Sequence, residues 1–148
     1  MIIFACDDEK LGLEGLVNSI QQAEPKSTIY SFRDGSDAVN ACNKIIPDIA
    51  FLDIELKGEN GISVAKKLKE VNPKVNIIFV TGYSSFMKDA FDLYASGYIL
   101  KPVNSDDIKS QFENLRYSVK TNKNLEAKTF GAFELFLDDK PLRFKYSK

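Results

Sequence analysis

Apolar positions along the chain follow two alternating rhythms: short unbroken runs, and stretches that return every three to four residues. Residues 2–6 (Ile-Ile-Phe-Ala-Cys) form an unbroken run and predict a strand covered on both faces. Leu11, Leu13, Leu16, Val17 and Ile20 then recur at helical spacing until Pro25 stops the pattern. Residues 28–32, rich in β-branched and aromatic side chains, predict a second strand, and 35–43, with Ala38, Val39 and Ala41, a short helix. Pro47 closes that helix, and 49–52 predict a third strand. Gly58 and Gly61 punctuate the loop beyond it. The next helix turns Ile62, Val64, Ala65 and Leu68 inward and Lys66, Lys67, Lys69 and Glu70 outward. Residues 75–80 predict a fourth strand, 84–95 a fourth helix and 98–100 a short fifth strand. A last helix is expected over 106–123, with Ile108, Phe112, Leu115 and Val119 along one face.

Strands that alternate with helices pair in parallel through right-handed crossovers. The predicted fold is therefore a doubly wound (βα)5 α/β sandwich of flavodoxin-like topology, sheet order 2-1-3-4-5, over residues 1–122. Residues 123–148 read as a linker and a C-terminal β-hairpin. Phe133, Leu135 and Leu137 alternate with Glu134, Phe136 and Asp138; after a turn at Asp138-Asp139, Leu142, Phe144 and Tyr146 alternate with Arg143 and Lys145. A lone hairpin is marginal in water and needs further structure to lie on.

Composition narrows the chemistry. The 148 residues contain no histidine, which excludes Ser-His-Asp and Cys-His catalysis, histidine metal sites and a phosphohistidine on this chain. Cys6 and Cys42, far apart in apolar settings, read as reduced core thiols. No apolar run approaches the ~18 residues of a membrane span, and the start meets Asp7 and Asp8 at once, unlike a secretory signal. A cytoplasmic protein without a membrane partner is expected. The net charge is −1; seven basic and four acidic residues from position 120 onward carry +3, leaving −4 on residues 1–119. An acidic body argues against nucleic-acid binding by the domain itself.

In a doubly wound sheet, functional groups gather beyond the carboxyl ends of the strands. The predicted strands end at Asp7-Asp8, Asp53, Thr81 and Lys101-Pro102, so three acids, a hydroxyl and a lysine converge from four segments. Each has an ordinary reading alone: Asp8 as a cap for the next helix, Thr81 as a strand residue, Lys101 as a solvated lysine. Their conjunction at consecutive strand ends points to a site. Crowded carboxylates repel and call for counter-charge. Lys101 supplies one positive charge, and hard oxygen donors without histidine or thiolate favour Mg²⁺ for the rest. A carboxylate in such a setting can take up a phosphoryl group, held by charge and by the Thr81 hydroxyl.

Residues 1–120 resemble the receiver (CheY-like) domains of two-component response regulators. The resemblance rests on Asp7-Asp8, on "IAFLDIEL" bearing Asp53, on Gly61 eight residues later, on "IIFVTGY" bearing Thr81, and on "GYILKP" bearing Lys101. It implies that Asp53 accepts a phosphoryl group from a sensor histidine kinase. Asp7, Asp8, Asp53 and the backbone carbonyl of Glu55 would hold Mg²⁺, and Thr81, Gly82 and Lys101 would contact the phosphoryl group. Thr81 and Tyr98 would act as the switch, changing the face of helix 4, strand 5 and helix 5, where a second protomer or another partner binds. Two departures from the family's pattern stand out: no Met-Pro follows Asp53, where Ile54-Glu55 stands, and Gly82 follows Thr81. The stretch "KTFGAFELFLDDKPLRFKYSK" resembles the opening strands of winged-helix output domains of the OmpR type and of related transcriptional activators. The expectation is a truncated piece of a longer regulator, with DNA contacts only through the missing C-terminal domain. Such a module takes up phosphate without being a turnover enzyme. The rival readings are a phosphate-independent interaction scaffold and an aspartyl-phosphate phosphohydrolase, which usually shows Asp-x-Asp at its nucleophile. A flavodoxin-like cofactor binder is the remaining rival, but acids stand after strand 1 where its phosphate loop would be.

Overall fold

A computed structural model of the chain describes residues 1–119 together with the backbone of 136–137 and 140–141. Five strands, Ile2–Cys6 (β1), Thr28–Phe32 (β2), Ile49–Leu52 (β3), Asn76–Thr81 (β4) and Gly97–Leu100 (β5), form one parallel sheet in the order β2-β1-β3-β4-β5. Helices Lys10–Ala23 (α1), Gly35–Ala41 (α2), Gly61–Val71 (α3) and Met87–Asp92 (α4) make the crossovers, and Ser105–Glu113 (α5) follows β5. Helix α1 packs against α5, and α2 against α3. The anticipated flavodoxin-like topology and strand order are those observed.

The central strands are unbroken apolar runs because both of their faces are covered. Every residue of β3 and β4 is buried. Alternation divides them: Phe4, Leu52, Ile77 and Phe79 join Ala38, Val64 and Leu68 in one core, whereas Phe51 meets Phe112 of α5 edge to face, ring centroids 6.2 Å apart. Helices α2 and α3 begin where Asp34 and Asn60 accept the amides of Ser36 and Ile62, and α5 begins at a reciprocal capping box between Asn104 and Asp107.

Register is what places the site. Cys6 pairs with Leu52, and Leu52 with Phe79, so β1 and β3 end level while β4 runs two residues further. Hydrogen bonds continue one step past the strands, from the Asp53 amide to the Cys6 carbonyl (3.0 Å) and from the Lys101 amide to the Thr81 carbonyl (2.8 Å). Beyond β3 the chain makes a two-residue antiparallel ribbon, Glu55–Leu56 with Glu59–Asn60, turning at Gly58 with φ of 74°. It returns so closely that a Cβ at Gly61 would lie 2.1 Å from the Asp53 carbonyl oxygen.

The sequence pattern overestimates the helices. Leu11 is 81% exposed, and the core face of α1 is Leu13, Leu16, Ser19 and Ile20. Helix α2 stops at Ala41 instead of 43, and α4 covers 87–92 instead of 84–95, with Tyr94 at φ of 59° ending it. The last helix stops at Glu113, not 123; Leu115 and Val119 lie outside it. Polar contacts override the periodicity there, for the Tyr117 backbone bonds to the Asn76 side chain rather than continuing the helix. Residues Ile2–Ser118 form one compact unit. Of the C-terminal hairpin, Phe136–Leu137 and Lys140–Pro141 pair antiparallel. Those four residues do not amount to the expected hairpin extension, whose remaining positions lie outside the described residues. Among the described residues, no helix is long and apolar enough to cross a membrane.

Gly61→Ala forces the ribbon away from Asp53 and is expected to destabilise by about 1–3 kcal/mol, the range for overpacking. Gly15→Ala, on the exposed face of α1 where an added Cβ meets nothing, is expected to stabilise by about 0.4–1 kcal/mol; urea midpoints at unchanged m compare the two. Burial, with help from nearby carboxylates, pushes the Cys6 thiol up to about 12, and burial raises that of Cys42. At pH 8 the native protein is expected to resist a thiol-reactive disulfide reagent that labels both cysteines once urea unfolds it.

Candidate functional site

The level ends of β1 and β3, with β5 running two residues further, put Asp7, Asp53 and Lys101 into contact. The Lys101 ammonium bridges two carboxylates, 3.0 Å from Asp7 Oδ2 and 2.8 Å from Asp53 Oδ2. Both acids are buried, Asp7 at 1% and Asp53 at 7% exposure, while Asp8 beside them is half-buried. One oxygen from each of Asp7, Asp8 and Asp53 lies within 4.8 Å of the other two. Burial alone would lower the Lys101 pKa, but hydrogen bonds and charge from Asp53 and Asp7 outweigh it, and the net shift is upward. The ammonium therefore stays charged. A cis peptide joins it to Pro102.

The remaining carboxylate oxygens are oriented by backbone amides. Asp7 Oδ1 accepts from the Glu9 amide at 2.9 Å and Asp53 Oδ1 from the Glu55 amide at 3.1 Å. Asp8 is not the cap of α1: its Oδ2 accepts the Lys57 amide at 3.0 Å, across the site, and Glu9 is the N-cap. A carboxylate carries about four lone-pair positions, so each keeps capacity toward the shared space. Three carboxyl groups face one ammonium there. The oxygen-only donor set, the short separations and the unbalanced charge fit a hard divalent cation such as Mg²⁺. Cys6, next to Asp7, is no competitor, since its raised pKa keeps it a thiol.

The other anticipated residues surround this cluster without joining it. Thr81 is fully buried at the end of β4, held to the site through the Lys101 amide bond to its carbonyl, and its Oγ1 accepts from the Tyr83 amide at 3.4 Å. Gly82 is exposed, with open space where a side chain would be. The Glu55 side chain points to solvent while its amide serves Asp53. Tyr98 is half-buried, its ring 6.4 Å from that of Phe79 and its hydroxyl donating to the Tyr83 carbonyl. Sequence reasoning missed three supports. Arg33 donates to the Asp8 carbonyl at 3.1 and 3.3 Å, the Lys57 amide holds Asp8, and Gly12 lets the Asp7 carboxylate lie against α1. Arg33 was within reach of the pattern, because the parallel pairing of Phe32 with Cys6 puts the next residues of both strands side by side. The Lys57 contact uses a main-chain group that every residue but proline carries, so no residue type signals it.

Known proteins show the same arrangement of elements and sequence. The family model described as "Response regulator receiver domain" matches residues 3–113. The sensory transduction protein LytT of Oceanobacillus iheyensis is 35% identical over 123 residues, 82% of this chain and 50% of that protein. The positive alginate biosynthesis regulatory protein of Pseudomonas aeruginosa is 34% identical over 109 residues, 73% of this chain and 44% of the relative. The chain thus spans about half the length of these relatives. Among solved structures, the response regulatory domain of protein mrkE from Klebsiella pneumoniae superposes with a TM-score of 0.70 at 29% identity, covering 78% of this chain and 94% of that one. With the acid cluster and its lysine at the ends of a sheet of the same order, the chain belongs to the response regulator receiver domain family.

Proposed function

We propose that this domain is a phosphorylation-switched signalling module in which Asp53 accepts a phosphoryl group from the phosphohistidine of a sensor histidine kinase. The observation that carries the reading is the Lys101 ammonium bridging two buried carboxylates in a cluster that still holds excess negative charge. In the transfer, an Asp53 oxygen forms a bond to phosphorus as the phosphorus–nitrogen bond breaks, and the imidazole nitrogen leaves with the electron pair. Asp7, Asp8, Asp53 and the Glu55 carbonyl would hold Mg²⁺, which supplies positive charge to the phosphoryl oxygens. Lys101 adds a second cation already in place, so little reorganisation is needed as charge moves. Thr81 accepts rather than donates in its bond to Tyr83 and keeps its own hydrogen for a phosphoryl oxygen. The open space at Gly82 leaves the entrance clear, and its amide is a further donor.

The path from phosphate to signal runs through one residue. Tyr83 donates its amide to Thr81 and accepts the Tyr98 hydroxyl on its carbonyl. Movement of Thr81 toward the phosphoryl group pulls on Tyr83 and frees Tyr98 to repack. That is a bistable element biased by new charge. The face it alters bears exposed Met87, Phe91 and Leu100, suited to a second copy or another partner. An attached transcriptional output, in the cytoplasm, is part of this proposal, and the regulatory name of the alginate biosynthesis relative supports it. DNA contact would belong to that output. The stretch that resembles a winged-helix start lies outside the described residues except at 136–137 and 140–141. The domain takes up one phosphoryl group and is not a turnover enzyme.

Incubation with acetyl phosphate and Mg²⁺ is expected to add about 80 Da, one phosphoryl group, by intact mass, and Asp53→Ala is expected to add none. No gain in the wild type would move the assignment to a phosphate-independent interaction scaffold. Mg²⁺ alone is expected to raise the melting temperature, since a ligand at a hundred times its Kd stabilises by about 2.7 kcal/mol. The rise should vanish in Asp7→Ala, and in the wild type it should exceed that given by NaCl of equal ionic strength.

A further inference from the structure

The end of the unit remote from the acid cluster carries a second polar assembly that phosphoryl transfer does not use. Asn76, the first residue of β4, is fully buried. Its side-chain amide meets the Tyr117 backbone twice, accepting the Tyr117 amide at 2.9 Å and donating to the Tyr117 carbonyl at 2.9 Å. Ser96, immediately before β5, donates to Asn76 Oδ1 at 2.7 Å and accepts the Arg116 amide at 3.3 Å. The Arg116 guanidinium lies over the ring of Tyr94, which ends α4, at 5.5 Å. These contacts replace the last turns of α5 that apolar periodicity would otherwise build, and they read mainly the backbone of residues 116–117.

Such an arrangement is costly unless complete, because a buried carboxamide without partners loses the free energy of its hydrogen bonds. Asn76 has its full set of partners only while residues 116–117 are seated and Ser96 is in position; its Nδ2 also donates to the Asp48 carbonyl at 3.4 Å. Ser96 and Tyr94 belong to the connection between α4 and β5, the segment next to Tyr98.

We propose that residues 114–118 are a latch that fastens the chain leaving the domain to the α4–β5 connection, so that displacement of that connection releases the exit segment. The coupling to phosphate rests on the switch reading given above; the latch itself does not. Hydrogen exchange on the full chain, with and without beryllofluoride plus Mg²⁺, tests both parts in the wild type and in Ser96→Ala. Without ligand, Ser96→Ala is expected to speed exchange of the Arg116 and Tyr117 amides roughly fivefold, the factor supplied by one net hydrogen bond. Unchanged protection there overturns the latch, whatever the ligand does. With beryllofluoride, the amides of residues 94–98 and of 116–117 are expected to shift together in the wild type. A response confined to 94–98 sinks the coupling and leaves the phosphorylation reading standing. No response anywhere overturns the phosphorylation reading, and with it the coupling, while the ligand-free comparison still decides the latch.

Discussion

Parallel pairing of β1, β3 and β4 in level register is the constraint from which the rest of the site follows. Cys6, Leu52 and Phe79 sit side by side, so the next residues of the two acidic strands emerge into the same small volume. Two buried carboxylates there are tolerable only with a cation between them, and Lys101 arrives from β5 to bridge both. Removing the lysine would strand two acids; removing the register would separate them. The apolar interior thus enforces a polar arrangement that it would otherwise disfavour, and sites of this kind commonly trade stability for function.

The bridge leaves a deficit. Asp8 brings a third carboxyl group to the cluster, fixed by the Lys57 amide from the far side and by Arg33 on its carbonyl. Backbone amides at Glu9 and Glu55 orient the other two acids without neutralising them. Preorganisation and unbalanced charge together are what a site for a divalent cation and a phosphoryl group needs: the donors stand in place, and charge is all that binding must supply.

How much of this the sequence makes legible depends on the length scale of the cause. Strands β1, β2 and β3 coincide with their apolar runs, and β4 and β5 differ by one residue at their ends, because burial on two faces leaves an unmistakable pattern. The site is equally visible, since strand ends in a known order fall at one edge and Asp7, Asp8, Asp53 and Lys101 are the residues standing there. Helix ends are not legible where tertiary contacts override propensity. The apolar spacing of Phe112, Leu115 and Val119 suits a long α5, yet the chain leaves the helix at Glu113 because Asn76 and Ser96 take the backbone at 116 and 117. Nothing near position 113 encodes that; the information lies more than thirty residues away at Asn76. Helix α4 is shorter than the expected 84–95 in the same way: Phe91 is 74% and Tyr94 63% exposed and contribute no core face.

Strand β4 ties these two ends together. Its interior, Ile77 to Val80, is wholly apolar and buried, and its only polar side chains are its terminal residues, Asn76 and Thr81, both with no exposure. Polar side chains at fully buried strand ends persist when they have partners to serve. Thr81 serves the Tyr83 amide and, through its carbonyl, Lys101; Asn76 serves Ser96 and Tyr117. One partner of each lies on a segment flanking α4: Tyr83 before it, Ser96 after it. A packed apolar strand does not deform gradually, so it acts as the fixed reference against which those flanking segments move. Helix α4 is short, has no side-chain cap and keeps only Ala90 buried. It is therefore lightly held between two anchored hydrogen-bond sets, where the proposed switch at Thr81 would meet little resistance.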